Sequence, residues 1–228
     1  MAQSYLEHFG VKVIQRKYAL KINREEFAPI STKPSLPRFE SLVKRGAYEE
    51  NSDKLKYREE WCKEYRELCL QNYDLTMKYF AKLDSIEFNK ILNDFLEKYN
   101  KFKEVENLWD YDYVSGYYLM VLDEYKQVYI GKSEDIKRRI QSHWTAIKPF
   151  DRTLFPMYAV TSSCFSIDFF RALDTTRIYA WRTKEQRSRE ASLIRNFPRM
   201  YVVNRIGGDA TNLIEAIGTI NKRDLSML

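Results

Sequence analysis

The chain has 228 residues, a net charge of +6 at neutral pH, 44% hydrophobic, 15% aromatic and 31% charged residues. Its mean hydropathy is −0.56 and its pI about 9.0, and no apolar run approaches the roughly 18 residues of a spanning helix, so a membrane protein is not expected. Two histidines and three cysteines (Cys62, Cys69 and Cys164), with no C-x-x-C spacing, argue against a zinc site and predict reduced structural thiols.

The opening residues lack the basic and apolar regions of a secretory signal, so the cytoplasm is the expected location. Val11, Val13, Ile14, Leu20 and Ile22 then fit either a strand pair or a helix. Pro29, Pro34 and Pro37 break regular structure and predict a loop. Beyond them, Trp61, Tyr65, Leu68, Asn72 and Leu75 keep helical spacing, and Leu83, Phe88, Ile91, Leu92, Phe95, Leu96 and Tyr99 mark a second apolar helix face. Residues 1–108 are therefore expected to form a mostly helical region that positions DNA or a partner.

The texture changes at Trp109, where residues 109–228 are expected to form a small α+β domain. Tyr117 to Leu122 and Val128 to Ile130, separated by turn residues Asp123 to Gln127, predict a hairpin. Gly131 would end it. Ser133 is expected to cap the next helix, with Ile136, Ile140 and Ile147 buried, and Arg139 and His143 one turn apart on a neighbouring face. Phe165 to Leu173 and Ile178 to Trp181 suggest further strands, and Lys184 to Asn196 a second helix ended by Pro198.

Gly116-Tyr117-Tyr118, ten intervening residues, Tyr129-Ile130-Gly131, then Arg139 and His143, followed by Glu190-Ala191-Ser192-Leu193-Ile194 and Asn204, form an ordered set. It resembles the GIY-YIG nuclease superfamily over roughly Val114 to Gly208. The resemblance implies a central, mainly antiparallel sheet flanked by helices. Tyr117 stands where the family usually has an aliphatic residue, the Glu190-to-Asn204 interval is a little long, and Lys148 to Ser163 reads as an insertion.

The same resemblance implies a metal-dependent DNA endonuclease of the restriction, mobile-element or repair kind, with catalytic residues Tyr118, Tyr129, Arg139, His143 and Glu190. Glu190 would hold one Mg2+ or Mn2+ ion as a hard oxygen ligand. Arg139 suits the growing charge on phosphate oxygens. Tyrosine ordinarily titrates near 10 and histidine nearer neutrality, which leaves the general base open between Tyr118 and His143. Tyr129 would orient water or phosphate.

Lys132, Lys137, Arg138, Arg189 and Asn204 are the expected nucleic-acid contacts. Arg177, Arg182, Lys184, Arg187, Arg195, Arg199 and Arg205 add to a basic C-terminal half suited to phosphate backbones. Two alternatives stay open: a non-catalytic nucleic-acid binder, and a nuclease subunit whose N-terminal helices form a homodimer or recruit a protein partner.

Overall fold

The computed structural model describes residues 5–14, 19–49, 55–154, 157–163, 165–184, 189–204 and 223–225. It is a mixed α+β structure with antiparallel sheets and five helices among those residues. The opening segment is a strand pair: β1 (Tyr5–His8) meets β2 (Val11–Ile14) through Phe9 and Gly10, both at positive φ. A short helix α1 (Glu40–Lys44) follows, and then α2 (Glu59–Lys82) and α3 (Ser85–Lys98). The Asp84 carboxylate starts α3 by accepting from the amides of Ile86 and Glu87. Phe88, Leu92 and Phe95, spaced i, i+4, i+7, form its buried face.

The main sheet holds four strands in the order β3 (Lys103–Glu104), β7 (Arg177–Arg182), β4 (Gly116–Leu122) and β5 (Gln127–Ser133), every pairing antiparallel. All seven residues of β4 are buried because the strand has neighbours on both edges and packing on both faces. Asp123–Tyr125 and left-handed Lys126 turn β4 into β5. Helix α4 (Ile136–Thr145) follows β5, a short pair joins β6 (Ser162–Ser163) to β8 (Arg223–Asp224), and α5 (Glu190–Arg195) follows β7.

Several local expectations change. Asp135, not Ser133, caps α4: its carboxylate accepts from the Arg138 amide, while Ser133 turns back onto Asp135. Ile136 and Ile140 are buried, but Ile147 lies past the helix end and is 50% exposed. Residues 165–173 form no strand. Ser166 and the Asp174 carboxylate stabilise two short 3-10 turns there, and Phe165 and Phe169 pack on Phe27. The later helix begins at Glu190; residues 185–188 lie outside the described residues, as does Arg205.

The buried hydrophobic residues form one cluster running from Val11 to Val203, in which both halves of the chain take part. The stretch read as an insertion is where much of this contact is made. Asp151 accepts from the amides of Ser35 and Leu36 and from the hydroxyls of Ser35 and Tyr57. Burial pushes its carboxyl pKa up, but these hydrogen bonds outweigh that and hold it below the ordinary value. Trp61 Nε1 donates to the Tyr158 hydroxyl at 2.7 Å. Cys62 and Cys69 are buried and unpaired, with thiols raised by burial to about 11 and about 12. No helix among the described residues is long and apolar enough to cross a membrane.

Candidate active site

The site is built on the central hairpin and α4. Tyr118 on β4 is in register with Gly131 on β5 and Ala180 on β7, so all three face the same side. The small neighbours make room for its ring. A Cβ on Gly131 would stand 2.5 Å from Tyr118 Cζ, and one on Gly116 would stand 3.0 Å from the Trp181 carbonyl carbon. Both motif glycines are thus close-approach positions.

Helix α4 lays Arg139 and His143 over this face. The Tyr118 hydroxyl is 2.9 Å from His143 Nε2. His143 Nδ1 is in turn 3.0 Å from Asp168 Oδ1. Asp168 can only accept in its charged form, so the proton sits on Nδ1 and Nε2 presents a lone pair to the Tyr118 O–H. Tyr118 and His143 are 0% and 3% exposed. Burial pushes the Asp168 carboxyl up, but the His143 hydrogen bond and the charges of Lys148, His143 and Arg139 hold it below its ordinary value.

The two tyrosines are poor phenolates. Burial, then the neighbouring Tyr129, holds Tyr118 well above its ordinary pKa against the opposing Arg139 guanidinium. Burial and then the Glu190 carboxylate push Tyr129 up to about 12. The Tyr129 ring lies 4.8 Å from the His143 ring. Arg139 is exposed at the helix surface, with its charge coupled to Tyr118, Tyr129 and Asp168.

Glu190 acts electrostatically on both tyrosines, and Tyr117 contacts the residue before it. The Arg189 amide donates to the Tyr117 hydroxyl at 2.8 Å, which fixes the residue before α5. The unusual tyrosine of the first motif therefore ties β4 to the residue before α5. All five expected catalytic residues converge: Tyr118, Tyr129, Arg139, His143 and Glu190.

No family model, curated protein or solved structure matches this chain.

The expected nucleic-acid contacts divide. Arg138 and Arg189 are exposed and Lys132 is half-buried, its Nζ 6.0 Å from the Tyr117 ring. Lys137 is 8% exposed, 2.8 Å from the Asp112 carboxylate and 3.3 Å from the Trp109 ring centroid. It is a structural ion pair turned away from solvent. Asn204 is buried: its carbonyl accepts from the Ile130 amide at 2.9 Å and its amide donates to the Ile130 carbonyl at 2.6 Å. With the parallel bridge between Val128 and Val202 it seals the outer edge of β5. Arg177 is bound to Asp123, and Arg182 donates to the Asp110 carbonyl at 2.9 Å.

Asp168 was missed by sequence reading. Its one local signal is the Ser166-x-Asp168 spacing, where the Ser166 hydroxyl accepts from the Asp168 amide, and that marks a turn rather than a catalytic partner.

Among the described residues, no group of three or more His, Cys, Asp and Glu side chains converges as a metal cage. Asp168 is engaged by His143 and lies 3.7 Å from Lys148. Glu190 is the carboxylate whose charge acts on both tyrosines. One hard oxygen ligand fits a magnesium-type ion that keeps most of its waters and shares a substrate phosphate, and it does not fit a resident zinc.

Proposed function

We propose that the chain is a GIY-YIG-type, metal-dependent DNA endonuclease. Residues 109–228 would carry the catalysis and residues 1–108 would position DNA or a partner. The observation that carries this reading is the hydrogen-bonded series Tyr118–His143–Asp168 with Tyr129, Arg139 and Glu190 gathered round the same phenol.

This arrangement supports one assignment of the base. Tyr118 holds its proton too tightly to serve as a phenolate at neutral pH, so it acts as a relay. A water attacks phosphorus and gives its proton to the Tyr118 oxygen as the Tyr118 proton passes to His143 Nε2. The Asp168 carboxylate stabilises the imidazolium. The bond from phosphorus to the leaving oxygen breaks, and that oxygen takes a proton from solvent. Arg139, whose charge is coupled to Tyr118, would match the charge that grows on the nonbridging oxygens. A magnesium or manganese ion held by Glu190 would supply Lewis-acid stabilisation of the same phosphate.

The test is plasmid nicking. Supercoiled DNA should be cut with magnesium and left intact with chelator, and Glu190→Gln should abolish cutting while the circular dichroism spectrum stays unchanged. Salt-sensitive binding without cutting under any divalent ion would replace this reading with a non-catalytic binder.

A further inference from the structure

The open edge of β7 carries a groove that the catalytic group does not use. It has a volume of 560 Å3, and Lys101, Lys103, Tyr111, Trp181 and Arg182 line it, with Ala180 in its wall. Strand β3 covers β7 only opposite Tyr179 and Ala180, so the edge beyond Ala180 opens into the groove. Ala180 is also the register partner of Tyr118. Neighbouring strands lie about 4.8 Å apart, so the groove begins one strand away from the catalytic phenol.

Its charge is one-sided. Among the described residues, three cations and no carboxylate line it. Several cations elsewhere are matched: Lys21 with Glu124, Arg24 with Asp74, Lys137 with Asp112, Arg177 with Asp123. Among the described residues, Lys101, Lys103 and Arg182 have no such carboxylate partner. Its rings are not available for stacking. Tyr111 and Trp181 are buried, with Arg182 4.6 Å over the first and Lys101 5.2 Å over the second. Such a surface offers positive charge and no base-sized platform, which suits phosphates and not bases.

We propose that this groove holds the sugar–phosphate backbone of the strand flanking the scissile phosphate, through Lys101, Lys103 and Arg182. The proposal rests on the nuclease reading of the Tyr118 site. It makes this contact indifferent to sequence.

The test is anisotropy of a labelled DNA duplex with the full chain, in chelator, over a salt series. Lys101→Ala/Lys103→Ala should lower the slope of log affinity against log salt by about 2, and adding Arg182→Ala by about 1 more. Lys44→Ala/Lys90→Ala changes the charge equally on exposed helix positions and should leave the slope nearly unchanged. Lys101 and Lys103 are exposed, so the double variant should fold normally. With magnesium it should raise KM for cleavage and leave kcat alone. A wild-type slope in the groove variants, an equal loss in the control pair, or no binding by the wild type overturns the groove. A groove-dependent slope in a protein that never cuts leaves the groove standing and removes the nuclease reading.

Discussion

The Tyr118 hydroxyl lies 2.9 Å from Nε2 of His143, a ring whose other nitrogen is held by Asp168. That third residue decides which nitrogen can accept a proton. Replacing it with an amide removes the decision: Asp168→Asn can donate to Nδ1, which forces the histidine proton onto Nε2 and blocks acceptance from Tyr118. We expect cleavage to fall by about 10² to 10⁴, the span of positioned acid–base catalysis, with KM little changed. The check is single-turnover kinetics with a pH profile. An unchanged rate and profile would make Asp168 a packing residue.

Gly131→Ala should disturb both fold and chemistry. The added methyl would meet the Tyr118 ring, and neither β5 nor the buried phenol can retreat without breaking the hairpin register. Overpacking of this kind costs about 1–3 kcal/mol. Urea denaturation measures the loss, and cleavage should fall further than stability alone explains, because Tyr118 is moved off His143.

Asn204→Ala separates a structural role from a substrate contact. It removes both bonds to Ile130 and leaves the edge amide and carbonyl of β5 buried and unpaired. The expected cost is about 2 kcal/mol or somewhat more. DNA affinity measured well below the melting temperature should be unaltered. A fall in affinity at full folding would restore Asn204 as a nucleic-acid contact.

The legible part of this molecule was local pattern. The hairpin announces itself because two apolar runs flank a turn, and α3 because Phe88, Leu92 and Phe95 repeat at helical spacing. What escaped depends on pairing between distant segments. Lys137 and Arg138 are adjacent basic residues, and only the fold shows that Asp112 and Trp109 wait for one of them. Phe165 to Leu173 has strand-like residues, yet its apolar groups are used as separate plugs from 3-10 turns. Asp168 belongs to that misread stretch, and its partner is 25 residues away. Tyr117 stands where the resembled family has an aliphatic residue, and only the fold shows its hydroxyl accepting from the amide before α5.

Alkaline pH should unfold the protein early. Burial holds Tyr57, Tyr65, Tyr118 and Tyr125 above the ordinary range and pushes Tyr73 and Tyr129 up to about 12. Above pH 10 or so the unfolded chain releases these protons while the folded chain keeps them. The unfolded state then binds fewer protons, and stability falls by about 1.4 kcal/mol per pH unit for each such phenol. Urea midpoints should be flat to about pH 9 and drop steeply above about pH 10. A flat midpoint through pH 11 or so would contradict the buried phenols.

The Tyr118 relay is tested by the single-turnover cleavage rate of Tyr118→Phe beside the wild type, with magnesium present. The substitution keeps the ring against Gly131 and removes one oxygen. Cutting should be lost by about 10³ or more, with a stability loss of only about 1–3 kcal/mol from leaving His143 Nε2 unpaired. Cleavage by Tyr118→Phe at the wild-type rate would contradict the relay.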